Sequence, residues 1–188
     1  PARHGGGYVA AYAESSLWAA TPEEFSSDEK IESLADWIAK PHWRLRANAS
    51  DHYRRNDFPD DAARRKIAAA LKDAMDNFNV ISVIEVTLLK KLGPHAQSLT
   101  PSVSRYLEST NTRRRIWGAR AHWTITGDPK VALPILIEGL QSNLAHVAAE
   151  GLGEMGPDAL AAADKFEALF VPRSATVHPE YAFALWQI

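Results

Sequence analysis

The chain has 188 residues, 46% hydrophobic and 23% charged, which is enough to build an ordinary globular core and too apolar for a disordered segment. A net charge of −2 supplies no overall positive field for gripping nucleic acid or anionic lipid. Cysteine is absent, which excludes disulfide scaffolds, thiol nucleophiles, thiolate zinc sites and iron–sulfur clusters.

Residues 1–27 mix glycine, serine, proline and aromatics without a period, and are read as an irregular lead-in packing Tyr12 and Trp18 on the first helices. His4-Gly5-Gly6-Gly7 matches a lipase-type oxyanion loop, but that chemistry needs a Gly-x-Ser-x-Gly elbow, and the chain has none. The segment is expected to be a terminal linker. No apolar stretch follows Arg3 as a signal peptide would require, and the start at Pro1 is read as a processed or cut end. Periodicity then predicts helices over 28–40, 43–55, 60–76, 78–92, 101–109, 112–126, 132–141, 144–155, 158–170 and 179–188. Asp28, Asp60, Asn111, Ser142 and Asp158 are candidate N-caps or first-turn groups. The longest apolar stretch, Phe78–Leu89, is interrupted by Asn79, Ser82, Glu85 and Thr87, so no membrane-spanning helix is expected.

The helices repeat. Leu92-Gly93-Pro94, Ile125 with Thr126-Gly127-Asp128-Pro129, and Met155-Gly156-Pro157 follow one another at 33 and 30 residues, and Ile188 lies 33 further on. Val86, Ala119, Ala149 and Ala182 form one column; Leu89, His122, Leu152 and Leu185 form another. Val103, Leu136 and Phe166 correspond, as do Leu107, Leu140 and Phe170. Within a unit, residues such as Val86, Leu89 and Leu92 make one apolar stripe, and a glycine–proline turn ends the helix. Pro101 and Pro134 suit the first turn of the returning helix. One helix pair cannot bury its own apolar face, so neighbouring pairs must stack. The expected organisation is a lead-in over 1–27, degenerate helical repeats over 28–77 and regular repeats over 78–188.

Trp123-Thr124-Ile125-Thr126-Gly127-Asp128-Pro129, Ala132-Leu133-Pro134-Ile135-Leu136 and Ala148-Ala149-Glu150-Gly151-Leu152-Gly153-Glu154-Met155-Gly156-Pro157 resemble bacterial HEAT repeats, closest to the short type also found in phycobilisome lyase proteins. The resemblance covers about 78–188 well and 43–76 weakly. It implies an all-α solenoid of stacked antiparallel helix pairs that binds another macromolecule. By the same resemblance the second helices of the pairs, at 60–76, 101–109, 132–141 and 158–170, line a concave groove. Expected contacts with a protein partner are Arg64, Arg105, Glu138, Gln141 and Lys165 in that groove, with Tyr181 and Trp186 on the last helix. That helix keeps the apolar residues of an internal repeat, so the chain is read as a fragment of a longer protein, or else as exposing a partner surface there.

Chemistry finds little purchase. Histidines 4, 42, 52, 95, 122, 146 and 178 show no His-Glu-x-x-His and no i, i+4 pair, so no metal site is expected, and no cofactor. His122 stands out for occupying a leucine column, which suits a half-buried, hydrogen-bonded ring or a pH-sensitive contact. The basic clusters Arg54-Arg55, Arg64-Arg65-Lys66, Lys90-Lys91 and Arg113-Arg114-Arg115 are read as solvated faces with some inter-helix ion pairs. Trp43, Trp117 and Trp123 could stack bases beside them, as in HEAT-like DNA glycosylases, but the carboxylate motif of that chemistry is not found. Trp123 and Trp186 share a column and are expected to pack between helices. The leading expectation is a non-catalytic scaffold or adaptor for a protein partner, with nucleic acid disfavoured. The alternatives are a HEAT-like glycosylase or pigment lyase, and an accessory domain of a larger bacterial enzyme.

Overall fold

The computed structural model describes residues 9, 13, 16, 18, 26–165 and 179–187, and every element among them is helical. The chain divides into two compact units, Pro1–Leu99 and Thr100–Ile188.

In the first unit α1 (Ser27–Ile38), α2 (Trp43–Arg55), α3 (Asp61–Phe78) and α4 (Val83–Leu92) lead into a 3-10 segment, Gly93–Leu99. Local chemistry sets their ends. Ser26 and Glu29 form a reciprocal capping box on α1, and the Asp60 carboxylate accepts from the Ala63 N–H at 2.8 Å at the start of α3. The periodicity places the next helix from residue 78, but α4 begins only at Val83. Asn79 turns left-handed at φ 53° to end α3, and Ser82 Oγ accepts from the Ile84 N–H to open α4. Within this unit α1 packs on α2 and α3 on α4, while α1 lies beside α3 and α2 beside α4. The 3-10 segment packs on both α3 and α4. Alternate helices thus form two layers. Leu34, Ile38, Tyr53, Ile67, Leu71, Met75, Leu88, Leu89, Leu92 and Leu99 fill the space between them. Each such aliphatic side chain contributes about 1.5–3 kcal/mol relative to exposure. Trp18 is buried as expected, its ring stacked 5.2 Å from Trp37 and edge-on to His52. Tyr12, also expected there, lies outside the described residues.

One pair in this core is charged. Arg46 Nε on α2 donates to Glu85 Oε1 on α4 at 2.9 Å, with the two side chains 5% and 1% exposed. Arg46 Nη1 also donates to the Lys40 carbonyl at 2.8 Å, and the Ser82 hydroxyl donates to Glu85 Oε2 at 2.6 Å.

The second unit contains α5 (Thr100–Leu107), α6 (Thr112–Thr126), α7 (Pro129–Gly139), α8 (Ala145–Met155), a 3-10 segment (Gly156–Ala162) and α9 (Pro179–Gln187). Helix α6 packs on α5, α7 and α8; α8 packs on α7, the 3-10 segment and α9. Three helices across the chain end on a glycine with positive φ: Gly93 (56°), Gly127 (64°) and Gly156 (57°). These are the turns on which the repeat was aligned, and a side chain at any of them would be strained.

Three details differ from the sequence expectation. The helix expected over 158–170 opens instead as part of the 3-10 segment Gly156–Ala162, which follows directly on the Gly156-Pro157 turn. Pro134 lies inside α7 rather than in its first turn, because Asp128 caps the helix earlier and Pro129 takes the first position. Ala182, aligned with the buried Val86, Ala119 and Ala149, is exposed, whereas Ala184 is fully buried. Gly153 decides this: a Cβ there would sit 3.1 Å from Ala184 Cα, so its absence draws α9 onto α8 at Ala184. Phe166 and Phe170 lie outside the described residues. No helix among the described residues is long and apolar enough to cross a membrane.

Candidate partner-binding surface

The expected contact residues fall into different situations. Arg64, on α3, is half-buried and committed: Nη1 meets Asp61 Oδ1 at 2.9 Å and the guanidinium lies 5.5 Å over the Phe58 ring. Asp61 Oδ1 also takes the His95 Nε2 at 3.2 Å, so one carboxylate ties the start of α3 to the 3-10 segment. Hydrogen bonds from Arg64 and His95 hold the Asp61 carboxyl below its ordinary pKa.

In the second unit Arg105 on α5 is exposed, as are Gln141 just beyond α7 and Lys165 beyond the 3-10 segment. Glu138 is exposed yet engaged, accepting both Arg115 Nη1 at 3.3 Å and Nη2 at 2.9 Å from α6. Trp186 is 77% exposed, its ring centroid 6.1 Å from that of Phe183, itself 62% exposed. Trp186 therefore does not pack between helices as expected, and Trp123 is half-buried. The backbone of Tyr181 belongs to α9, but its side chain lies outside the described set.

Most of the basic clusters are neutralised locally. Arg54 and Arg55 share Asp51, Lys66 meets Glu32, and Lys91 reaches Asp57 at 3.0 Å. The residue that sequence reasoning passed over is Arg65, whose side chain has no ion-pair partner among the described residues. It lies on a cleft of about 420 Å³ between α3 and the 3-10 segment, lined also by Ala68, Ala69, Lys72, Pro94, His95 and Ser98. The cluster Arg64-Arg65-Lys66 was visible in the sequence, but which of the three has a neighbouring carboxylate depends on the helix packing.

In the second unit Arg120 on α6 is 3% exposed and bridges Glu150 at 2.9 Å and Glu154 at 2.8 Å on α8, with its guanidinium 4.8 Å over Trp117. Gly151 makes room for it, since a Cβ there would lie 2.7 Å from Arg120 Cγ.

The histidines scatter. His42 accepts from the Arg44 N–H at the start of α2, His95 is held by Asp61, and His146 is exposed. His52 sits edge-on between Trp18 and Tyr53; His122 is half-buried with Nδ1 3.4 Å from Thr126 Oγ1. His4 and His178 lie outside the described residues. Burial, aided by the charge of Lys30, lowers the His52 pKa, and burial lowers that of His122. Both rings are then protonated more readily in the unfolded chain. The stability carried by their neutral forms is complete above the ordinary value of 6.5 and is lost as pH falls through the lowered folded values. Melting temperature should therefore fall as the pH drops below neutrality, and His52→Asn with His122→Asn should flatten that slope. Circular-dichroism melts across the range check this; an unchanged slope in the double variant would refute it.

No protein-family model, curated protein or solved structure matches this chain.

Proposed function

We propose that this chain is a HEAT-like α-solenoid module, of the short type resembling phycobilisome lyase repeats, which binds a protein partner without catalysis of its own. The observation that carries this reading is the layering: in the first unit α1 lies beside α3 and α2 beside α4, in the second α6 lies beside α8, and α4, α6 and α8 each end on a positive-φ glycine. Such a stack presents rows of outward side chains along each layer rather than one enclosed site. The returning helices α5 and α7, with the 3-10 segment Gly156–Ala162, supply the binding face, and Arg105, Gln141 and Lys165 are its exposed contacts. Glu138 contributes as a pair with Arg115 rather than as a lone charge.

A photoreactive amino acid placed at 105, 141 or 165 in cells of the source organism tests the assignment. The same polypeptide should cross-link from each position and should not cross-link from Arg113 or His146, exposed residues of α6 and α8 in the same unit. Cross-links confined to Arg113 and His146 would sink the assignment of this face. Their absence everywhere would sink the binding function.

A further inference from the structure

After the ion pairs of the first unit are assigned, a cleft is left with a cation at its edge that has no ion-pair partner among the described residues. Arg65, Ala68, Ala69 and Lys72 recur at helical spacing and give one face of α3, while Pro94, His95 and Ser98 form the opposite wall on the 3-10 segment. Two alanines leave the floor open, which is why a cleft of about 420 Å³ exists there. No carboxylate lines it. Two nearby acids are in use: Asp76 holds Lys72 at 2.5 Å, and Asp61 holds Arg64 and His95. Arg54, Arg55, Arg64, Lys66 and Lys91 in the same unit all have carboxylate partners, whereas Arg65 has none among the described residues.

We propose that this cleft receives a carboxylate side chain from an acidic peptide segment of the partner, with Arg65 as its anchor. The inference rests on the reading of the chain as a protein-binding module. A guanidinium offers a planar fork that a carboxylate fills with two parallel hydrogen bonds. Lys72, already shared with Asp76, supplies a further donor beside it. The alanine floor and Pro94 accept the methylenes of a glutamate. A nucleic-acid strand fits less well: a phosphodiester track needs a row of unshared cations, and here the flanking cations are already shared with Asp61 and Asp76.

Fluorescein-labelled hexaglutamate is the probe, with hexaglutamine and a short oligothymidylate as comparisons, read by anisotropy on the full chain. Hexaglutamate should bind and hexaglutamine should not. Arg65→Glu should raise Kd by at least about tenfold, the loss of one charge-assisted pair. Ala69→Leu, which fills the cleft without changing charge, should weaken binding as well. Amide shifts on adding hexaglutamate should centre on Arg65, Ala69, His95 and Ser98. An unchanged Kd in both variants, or shifts centred elsewhere, would overturn the cleft, and so would oligothymidylate binding more tightly than hexaglutamate. The cross-links from 105, 141 and 165 do not depend on Arg65, so the cleft can fail while the binding face stands, and the reverse.

Discussion

Glu85→Ala should destabilise the first unit by about 3–5 kcal/mol, the largest effect of any single polar substitution in that unit. The variant strands the Arg46 guanidinium, 5% exposed, with only the Lys40 carbonyl at Nη1. It also removes the acceptor for the Ser82 hydroxyl at the start of α4. Most of that loss is the cost of leaving a buried charge alone, not the net worth of the pair. The double variant Arg46→Met with Glu85→Leu should therefore recover most of the stability, because two apolar side chains of similar volume replace two desolvated charges. Urea unfolding of the wild type, the single and the double variants measures this. A double variant as unstable as Glu85→Ala would mean that the pair does more than compensate its own desolvation.

Gly118→Ala should cost the second unit about 2–3 kcal/mol, although alanine is the better helix former by about 1 kcal/mol at an exposed site. Gly118 lies on the α6 face against α5, where a Cβ would meet Tyr106 Cβ at 2.7 Å and backbone atoms of Tyr106 and Leu107 at 3.2 and 3.3 Å. Backbone cannot swing aside as a side-chain tip can, so α5 and α6 must move apart, and Tyr106, now 2% exposed, loses its packing. Gly127→Ala makes the useful comparison. It meets nothing within 4 Å, and its only penalty is the left-handed φ of 64°, about 1 kcal/mol. Equal losses in the two variants would show that packing at Gly118 is looser than the geometry implies.

These effects divide along the line between local and long-range information. The amino-acid sequence by itself determined the helices and most of their ends, because caps and turns act within four residues: Ser26 with Glu29, Asp60 with Ala63, and glycines at 93, 127 and 156. The columns Val86–Ala119–Ala149 and Leu92–Met155 mark buried residues for the same reason, since an apolar stripe must be covered by something. Where a helix end was misplaced, at 78–83, a short-range feature was overlooked: Asn79 in a left-handed turn followed by the Ser82 cap.

The candidate surface was legible only as a set of charged residues, because whether a charge is available depends on what the next helix brings beside it. Arg64, chosen as a contact, is tied to Asp61 over Phe58, and Glu138 is tied to Arg115 from 23 residues away, whereas Arg65 has no ion-pair partner among the described residues. The same dependence on partners distant in sequence put Arg46 with Glu85 and Arg120 with Glu150 and Glu154. It also exposed Trp186 and buried Ala184 where the repeat columns pointed to Trp186 and Ala182. Periodicity specifies which face of a helix is covered. Only the packed tertiary structure decides which side chains meet across it, since those contacts depend on the relative shift and rotation of whole helices.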